Sequence, residues 1–186
     1  MLAQPPIIFT IGHSTHAVDV LASMLKAHGV RAVADVRRFP ASRRHPQFNR
    51  EALEQALAHE GIEYQWVEAL GGRRTPLPIE ESQNSGWRND AFRGYADYMR
   101  THEFDAALEK LEPIARRHST AIMCAEALEW RCHRRLIADA LVVRGWIIRH
   151  IHSADPAQTT EHALPDFAQR DGTRITYPPR DAGLFD

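Results

Sequence analysis

Ile7-Ile8-Phe9-Thr10-Ile11-Gly12-His13-Ser14-Thr15-His16 is the stretch whose reading decides the fold. The run from Ile7 to Ile11 is apolar and largely β-branched, which suits a buried strand, and Gly12 ends it. Leu21, Met24, Leu25 and His28 then recur at helical spacing until Gly29 stops the period. Strand, polar loop, helix and stop make the opening half of a βαβ unit, and the chain repeats the pattern. Val30 to Val36 is a second strand, and Asn49 is placed to cap a helix carrying Leu53 and Leu57, with Phe48 set to staple against Leu53 and Gly61 to end it. Ile62, Tyr64 and Trp66 alternate as a third strand.

Leu70 to Asp90 is rich in Gly, Pro, Arg, Ser and Asn and has no period, which marks a long functional or mobile loop. Phe92, Tyr95, Ala96 and Met99 follow a helical face, as do Leu108 and Leu111 in the next segment. Thr120 to Cys124 is a fourth strand, Arg131 to Val143 a further helix, and Trp146 to Ile151 a fifth strand after Gly145. The expected fold is therefore α/β, a mainly parallel sheet of about five strands with helices on both faces in three layers. One domain is expected over residues 1–186, with a motif-bearing core at about 7–151. Residues 152–186 carry Pro156, Pro165, Pro178 and Pro179 and read as an extended wrap with one short helix.

Composition limits the function classes. Lys plus Arg total 23 against 24 for Asp plus Glu, a formal net charge of -1, so bulk charge does not hold this chain to long duplex DNA. Any anion site must be local. Only Lys26 and Lys110 are lysines, so the remaining basic residues are arginines, suited to bidentate contact with phosphate or carboxylate. No apolar run is long enough to cross a bilayer, and Met1 to Phe9 lacks the features of a secretory leader. The expectation is a cytoplasmic protein whose two cysteines, Cys124 and Cys132, are reduced.

In an open parallel sheet, ligands bind outside the carboxyl ends of the strands. That rule selects three polar loops. The first, Gly12 to His16, offers close backbone approach at Gly12, a helix cap at Ser14 or Thr15 that leaves amides free for an anion, and His13 beside them. In the second, Asp35 and Arg37 project to one side, either as a mutual ion pair or both into the crevice. Arg37 and Arg43 are its phosphate candidates, with Pro40 stiffening the turn between them. The third joins Cys124-Ala125-Glu126 to Trp130-Arg131-Cys132-His133-Arg134-Arg135. Projected at 100° per residue, its helix buries Leu136, Ile137, Ala140, Leu141 and Val143, with His133 on the inward face, Cys132 at its edge and Arg134 at the opposite margin.

Cys124 ends a strand ahead of a helix, where amides and the positive dipole favour a thiolate. Against a nucleophile stand the spacing to Arg131, one residue longer than in cysteine phosphatases or rhodanese-type loops, and the charge of Glu126; a buried structural thiol is the competing reading. Zinc on Cys124, Cys132 and His133 is disfavoured by the divergence of neighbouring helix positions. In the long loop Trp87 and Arg88 are the contact candidates, as a lid or stacking surface.

Thr10-Ile11-Gly12-His13-Ser14, Asp35-Val36-Arg37 with Pro40, Ser42 and Arg43, Phe48-Asn49, Leu70-Gly71-Gly72, Tyr95 with Met99, and Met123-Cys124-Ala125-Glu126 followed by Cys132-His133-Arg134 together resemble the family known as domain of unknown function 488, DUF488. The resemblance spans about Phe9 to Ile151. It implies an α/β domain of bacteria and archaea without an established reaction. It also gives His13, Asp35, Arg37, Cys124, Glu126, Cys132, His133 and Arg134 weight over Arg73, Trp87 or Arg88.

The leading expectation is an enzyme, a hydrolase or group transferase, acting on a phosphate-bearing substrate such as a nucleotide or nucleic-acid end. Arg37, Arg43 and Arg134, with Ser14, would bind the anion, while Glu126, Asp35, His13 and His133 would move protons. A divalent cation on Asp35 and Glu126 is compatible with this chemistry but not indicated by spacing. The alternatives are a phosphatase or sulfurtransferase using Cys124, and a non-catalytic module that grips nucleic acid or a partner.

Overall fold

The computed structural model describes residues 5–179. Its centre is a six-stranded sheet built from β1 (Ile7–Gly12), β2 (Ala32–Asp35), β3 (Glu63–Trp66), β4 (Thr120–Cys124), β5 (Ile147–Ile151) and β6 (Thr159–Glu161). The order across the sheet is β3-β2-β4-β1-β5-β6; β1 to β5 run parallel, and β6 pairs antiparallel with β5. Five helices accompany it: α1 (Val18–Ala27), α2 (Arg50–His59), α3 (Asp90–Tyr98), α4 (His102–Arg117) and α5 (Arg134–Val143). A separate hairpin pairs β7 (Gln169–Asp171) with β8 (Arg174–Thr176). No helix among the described residues is long and apolar enough to cross a membrane.

Alternation along each strand divides the core into two apolar layers. On one face Ile11, Val33, Ala121 and Met123 pack with Leu21, Met24 and Leu25 of α1 and Leu53 and Leu57 of α2. On the other Ile8, Ala34, Ile122 and Ile148 pack with residues of α3, α4 and α5, including Tyr95, Leu108, Leu111, Leu136 and Leu141. The three-layer arrangement expected from the sequence is thus present. Gly29 and Gly61 end α1 and α2 at φ +67° and +71°, a left-handed turn that only glycine adopts without strain and that sends the chain directly into the next strand.

Three local expectations are corrected. Neither Ser14 nor Thr15 caps α1; its N-cap is Ala17, two residues further on, because Ser14 takes a left-handed turn at φ +48°. Asn49 does occupy the N-cap of α2, but its Oδ1 accepts from the Ser42 amide at 2.6 Å and so ties down the loop after β2 rather than the helix. The segment after residue 151 is more than a wrap. Its β-branched Thr159 and Thr160 add β6 to the sheet edge, and Gly172 at φ +60° turns the β7–β8 hairpin.

Candidate functional site

The parallel register brings the carboxyl ends of β1, β2 and β4 side by side, with Gly12 opposite Cys124 and Asp35 opposite Met123. The β1–β4 ladder continues beyond the strands: the His13 amide donates to the Cys124 carbonyl at 2.9 Å and the Ser14 amide to the Ala125 carbonyl at 3.0 Å. These two amides are therefore not free to hold an anion, contrary to expectation. The close approach depends on Gly12, where a Cβ would lie 1.9 Å from the Glu126 carbonyl oxygen.

Asp35 and Arg37 resolve as a mutual ion pair. The Asp35 carboxylate, 0% exposed, accepts from the Arg37 amide at 3.0 Å, from Arg37 Nε and Nη2, and from the Tyr64 hydroxyl at 2.6 Å. Arg37 Nη1 donates to the Phe48 carbonyl at 2.8 Å and lies 3.3 Å from His13 Nε2. Burial, with the Arg37 charge adding to it, pushes His13 down to about 4, so the ring is neutral at pH 7, stacked on Phe48 at 3.9 Å between centroids. Asp35 lines none of the hollows described below and its oxygens are occupied by donors. It is a structural anchor for Arg37, and the expected roles in proton transfer or in holding a cation with Glu126 do not fit it.

Arg134 departs most from expectation. It is 1% exposed and reaches back beneath the β4–α5 loop, where Nη1 donates to the Glu126 carbonyl at 2.6 Å and to Cys124 Sγ at 2.8 Å, and Nη2 to the Ala127 carbonyl at 2.9 Å. Its backbone keeps the marginal place on the wheel, but a long side chain in the first turn reaches back past the helix N-terminus, which the projection does not encode. Glu129–Arg131 form a 3-10 turn, Cys132 is extended, and α5 begins at Arg134. An external phosphate does not reach this guanidinium.

Cys132, expected at the edge of the helix's inward face, lies with its Sγ 2.7 Å from Cys124 Sγ. Both cysteines are free and buried. Burial pushes the Cys124 thiol up, but the hydrogen bond from Cys132 and the Arg134 charge outweigh it, so its net shift is downward. Cys132 moves the other way, held well above its usual range first by its hydrogen bond to Cys124 and then by burial. His133 sits at the N-cap of α5 with Nε2 donating to the Val36 carbonyl at 3.0 Å and Nδ1 3.5 Å from Cys132 Sγ. Burial lowers it to about 4 despite that hydrogen bond.

These groups border two adjoining hollows. The larger, about 630 Å³, has Cys124, Cys132, His133 and Gly72 on one side and Arg37, Arg38, Arg73, Arg131, Phe39 and Glu126 among its other walls. The smaller, about 400 Å³, is lined by His13, Ser14, Thr15, Ser42 and His45 and shares Arg37, Phe39, Ala41, Ala125 and Glu126 with the first. His13, Arg37 and Glu126 thus face one shared space. Glu126 is exposed, and its carboxylate makes no hydrogen bond or ion pair with other described residues. Arg43 is exposed and borders neither hollow.

Arg38, Arg73 and Arg131 line the larger one beside Arg37, and the sequence reading does not include these three among the anion ligands. Proximity to the strand ends was the available signal for Arg38 and Arg131, whereas Arg73 is brought in by the long loop. Trp87 is not part of this surface: its ring stacks on Phe92 at 5.1 Å and meets Phe167 edge-on. Among the described residues no group of three or more His, Cys, Asp or Glu converges as metal ligands would. The two sulfurs are also too close for a shared zinc, whose thiolate ligands at about 2.3 Å from the metal stand roughly 3.8 Å apart.

Among curated proteins and solved structures, none matches the chain. The family model for the domain of unknown function DUF488 matches residues 17–141, a span that contains Asp35, Arg37, Cys124, Glu126, Cys132, His133 and Arg134, and the chain belongs to that family.

Proposed function

We propose that the protein is a group-transfer enzyme in which the Cys124 thiolate is the nucleophile and the arginine-rimmed hollow takes an anionic, phosphate- or sulfur-bearing substrate. The observation that carries this reading is the surroundings of Arg134. A buried guanidinium is costly unless an anion accompanies it. Among the described residues no carboxylate pairs with Arg134, and its partners are two carbonyls and Cys124 Sγ. A thiolate at Cys124 is the available countercharge, and it stands at the wall of the larger hollow. Arg38, Arg73 and Arg131 on the same walls favour an anionic reactant, and Glu126 is the free carboxylate within reach for proton transfer.

Alkylation kinetics test this. Cys124 is expected to react with iodoacetamide at neutral pH at least tenfold faster than free cysteine. The rate ratio of anionic iodoacetate to neutral iodoacetamide should exceed that of free cysteine and fall in Arg131→Ala. A Cys124 that reacts no faster than free cysteine removes it as nucleophile; an unchanged reagent ratio removes the anionic preference.

A further inference from the structure

Cys124 has a neighbour that a phosphoryl-transfer nucleophile does not need. Cys132 Sγ is 2.7 Å away, well inside ordinary contact between two sulfur atoms, and a shift of roughly 0.7 Å would bring the pair to the bonded distance of a disulfide. The two thiols are also unequal. Of the two sulfurs the Arg134 guanidinium donates to Cys124 only, at 2.8 Å, while the Cys132 sulfur accepts the Arg134 amide at 3.5 Å and faces His133 Nδ1 at the same distance. This asymmetry makes one sulfur the attacking thiolate and leaves the other a protonated thiol beside it.

Resting on the reading of Cys124 as the nucleophile, we infer that Cys132 is its resolving partner and that the hollow serves thiol–disulfide exchange with a small anionic disulfide. The Cys124 thiolate attacks one sulfur of the substrate RSSR, forming a Cys124–SR mixed disulfide as the substrate's S–S bond breaks and RS⁻ leaves. Cys132 then attacks Cys124 Sγ, the Cys124–SR bond breaks, and the Cys132 proton accompanies the departing thiolate as RSH. The substrate has gained two electrons and the cysteine pair has lost them, now joined as a disulfide. An external dithiol returns the pair to its reduced form by the reverse exchange. The hollow of about 630 Å³ accommodates such a molecule, and Arg38, Arg73 and Arg131 meet its carboxylates.

Glutathione disulfide is the probe. The reduced full-length chain is mixed with it, quenched in acid at intervals, and mapped by mass spectrometry without reduction. The wild type is expected to lose two hydrogens and to yield a cross-linked peptide pair containing Cys124 and Cys132, with the mixed disulfide only transient. Cys132→Ser is expected to collect glutathione on Cys124, with a lifetime longer by on the order of 100-fold or more, since an intramolecular thiol no longer displaces it. A wild-type chain that keeps glutathione on Cys124 overturns the resolving role while leaving the nucleophile intact. A chain in which Cys124 takes up no glutathione although iodoacetamide labels it rapidly overturns the disulfide as substrate. Slow reaction with both reagents removes Cys124 as nucleophile and this inference with it.

Discussion

His13, His133 and His150 share one property: burial leaves each ring neutral. Their values fall from the ordinary 6.5 to about 4, about 4 and about 3, burial being the largest cause in each. The unfolded chain protonates these rings near pH 6.5 while the folded chain resists, so the unfolded state binds more protons across the interval below it. Stability contributed in this way is fully present above about pH 6.5 and is lost as pH falls toward about 4, by at most about 1.4 kcal/mol per pH unit for each ring. The urea midpoint should therefore drop between pH 7 and pH 5, and a His150→Gln variant should show a shallower slope. A midpoint unchanged over that interval contradicts the assignment. At this scale the sequence revealed residue types better than roles. Asp35, Arg37, Cys124 and Glu126 were picked out by their places at strand ends. The two-residue spacing offered the Asp35–Arg37 pair as one of two alternatives; which of them holds, and that Arg134 has internal partners, depended on side-chain reach, which spacing does not encode.

The elements were legible where a period or a glycine stop was present. The apolar repeats of α1, α2 and α5 and the alternation of β3 read directly, since each side chain's face follows from its position. The start of α5 did not, because Glu129–Arg131 form a 3-10 turn and Cys132 is extended, features that carry no period. That offset concealed the pairing of Cys132 with Cys124. The meeting of the β1 and β4 loops yields a further expectation. A Cβ at residue 12 would press on the Glu126 and Ala127 backbone, which cannot swing aside as a flexible side chain would. Gly12→Ala should cost about 1–3 kcal/mol of stability and displace the loop that Arg134 holds, slowing Cys124 alkylation. Denaturant melts and the alkylation rate check both parts, and an unaffected rate would show that the loop does not govern the thiol.

Over the whole molecule, the alternation of strands and helices was enough to place helices on both faces and the polar loops along one edge of the sheet. The C-terminal segment was not legible, because β6, β7 and β8 are three residues each, too short for alternation to show. The segment packs closely against the rest. The Tyr177 hydroxyl donates to Asp139 Oδ2 at 2.6 Å, and its amide donates to Asn84 Oδ1 at 3.0 Å. Tyr177→Phe removes one buried donor to a carboxylate and should cost about 2 kcal/mol, read as a lower urea midpoint. A loss below a few tenths of a kcal/mol would mean that Asp139 is held without it.

The contacts of Asp139 have a wider consequence. From Thr10 in β1 a string of polar contacts passes to His150 in β5, to His162 beyond β6, to Asp139 in α5 and finally to Tyr177, all at 3.0 Å or less. The string crosses an otherwise apolar layer like a rivet, and its carboxylate is sealed from water. Pulling the last strands away would strip Asp139 of its Tyr177 donor inside a dry interior. The segment from β6 to Tyr177 and the middle of the sheet are therefore expected to come apart in a single melting event, and shortening the protein ahead of Tyr177 would weaken its heart as well as its rim.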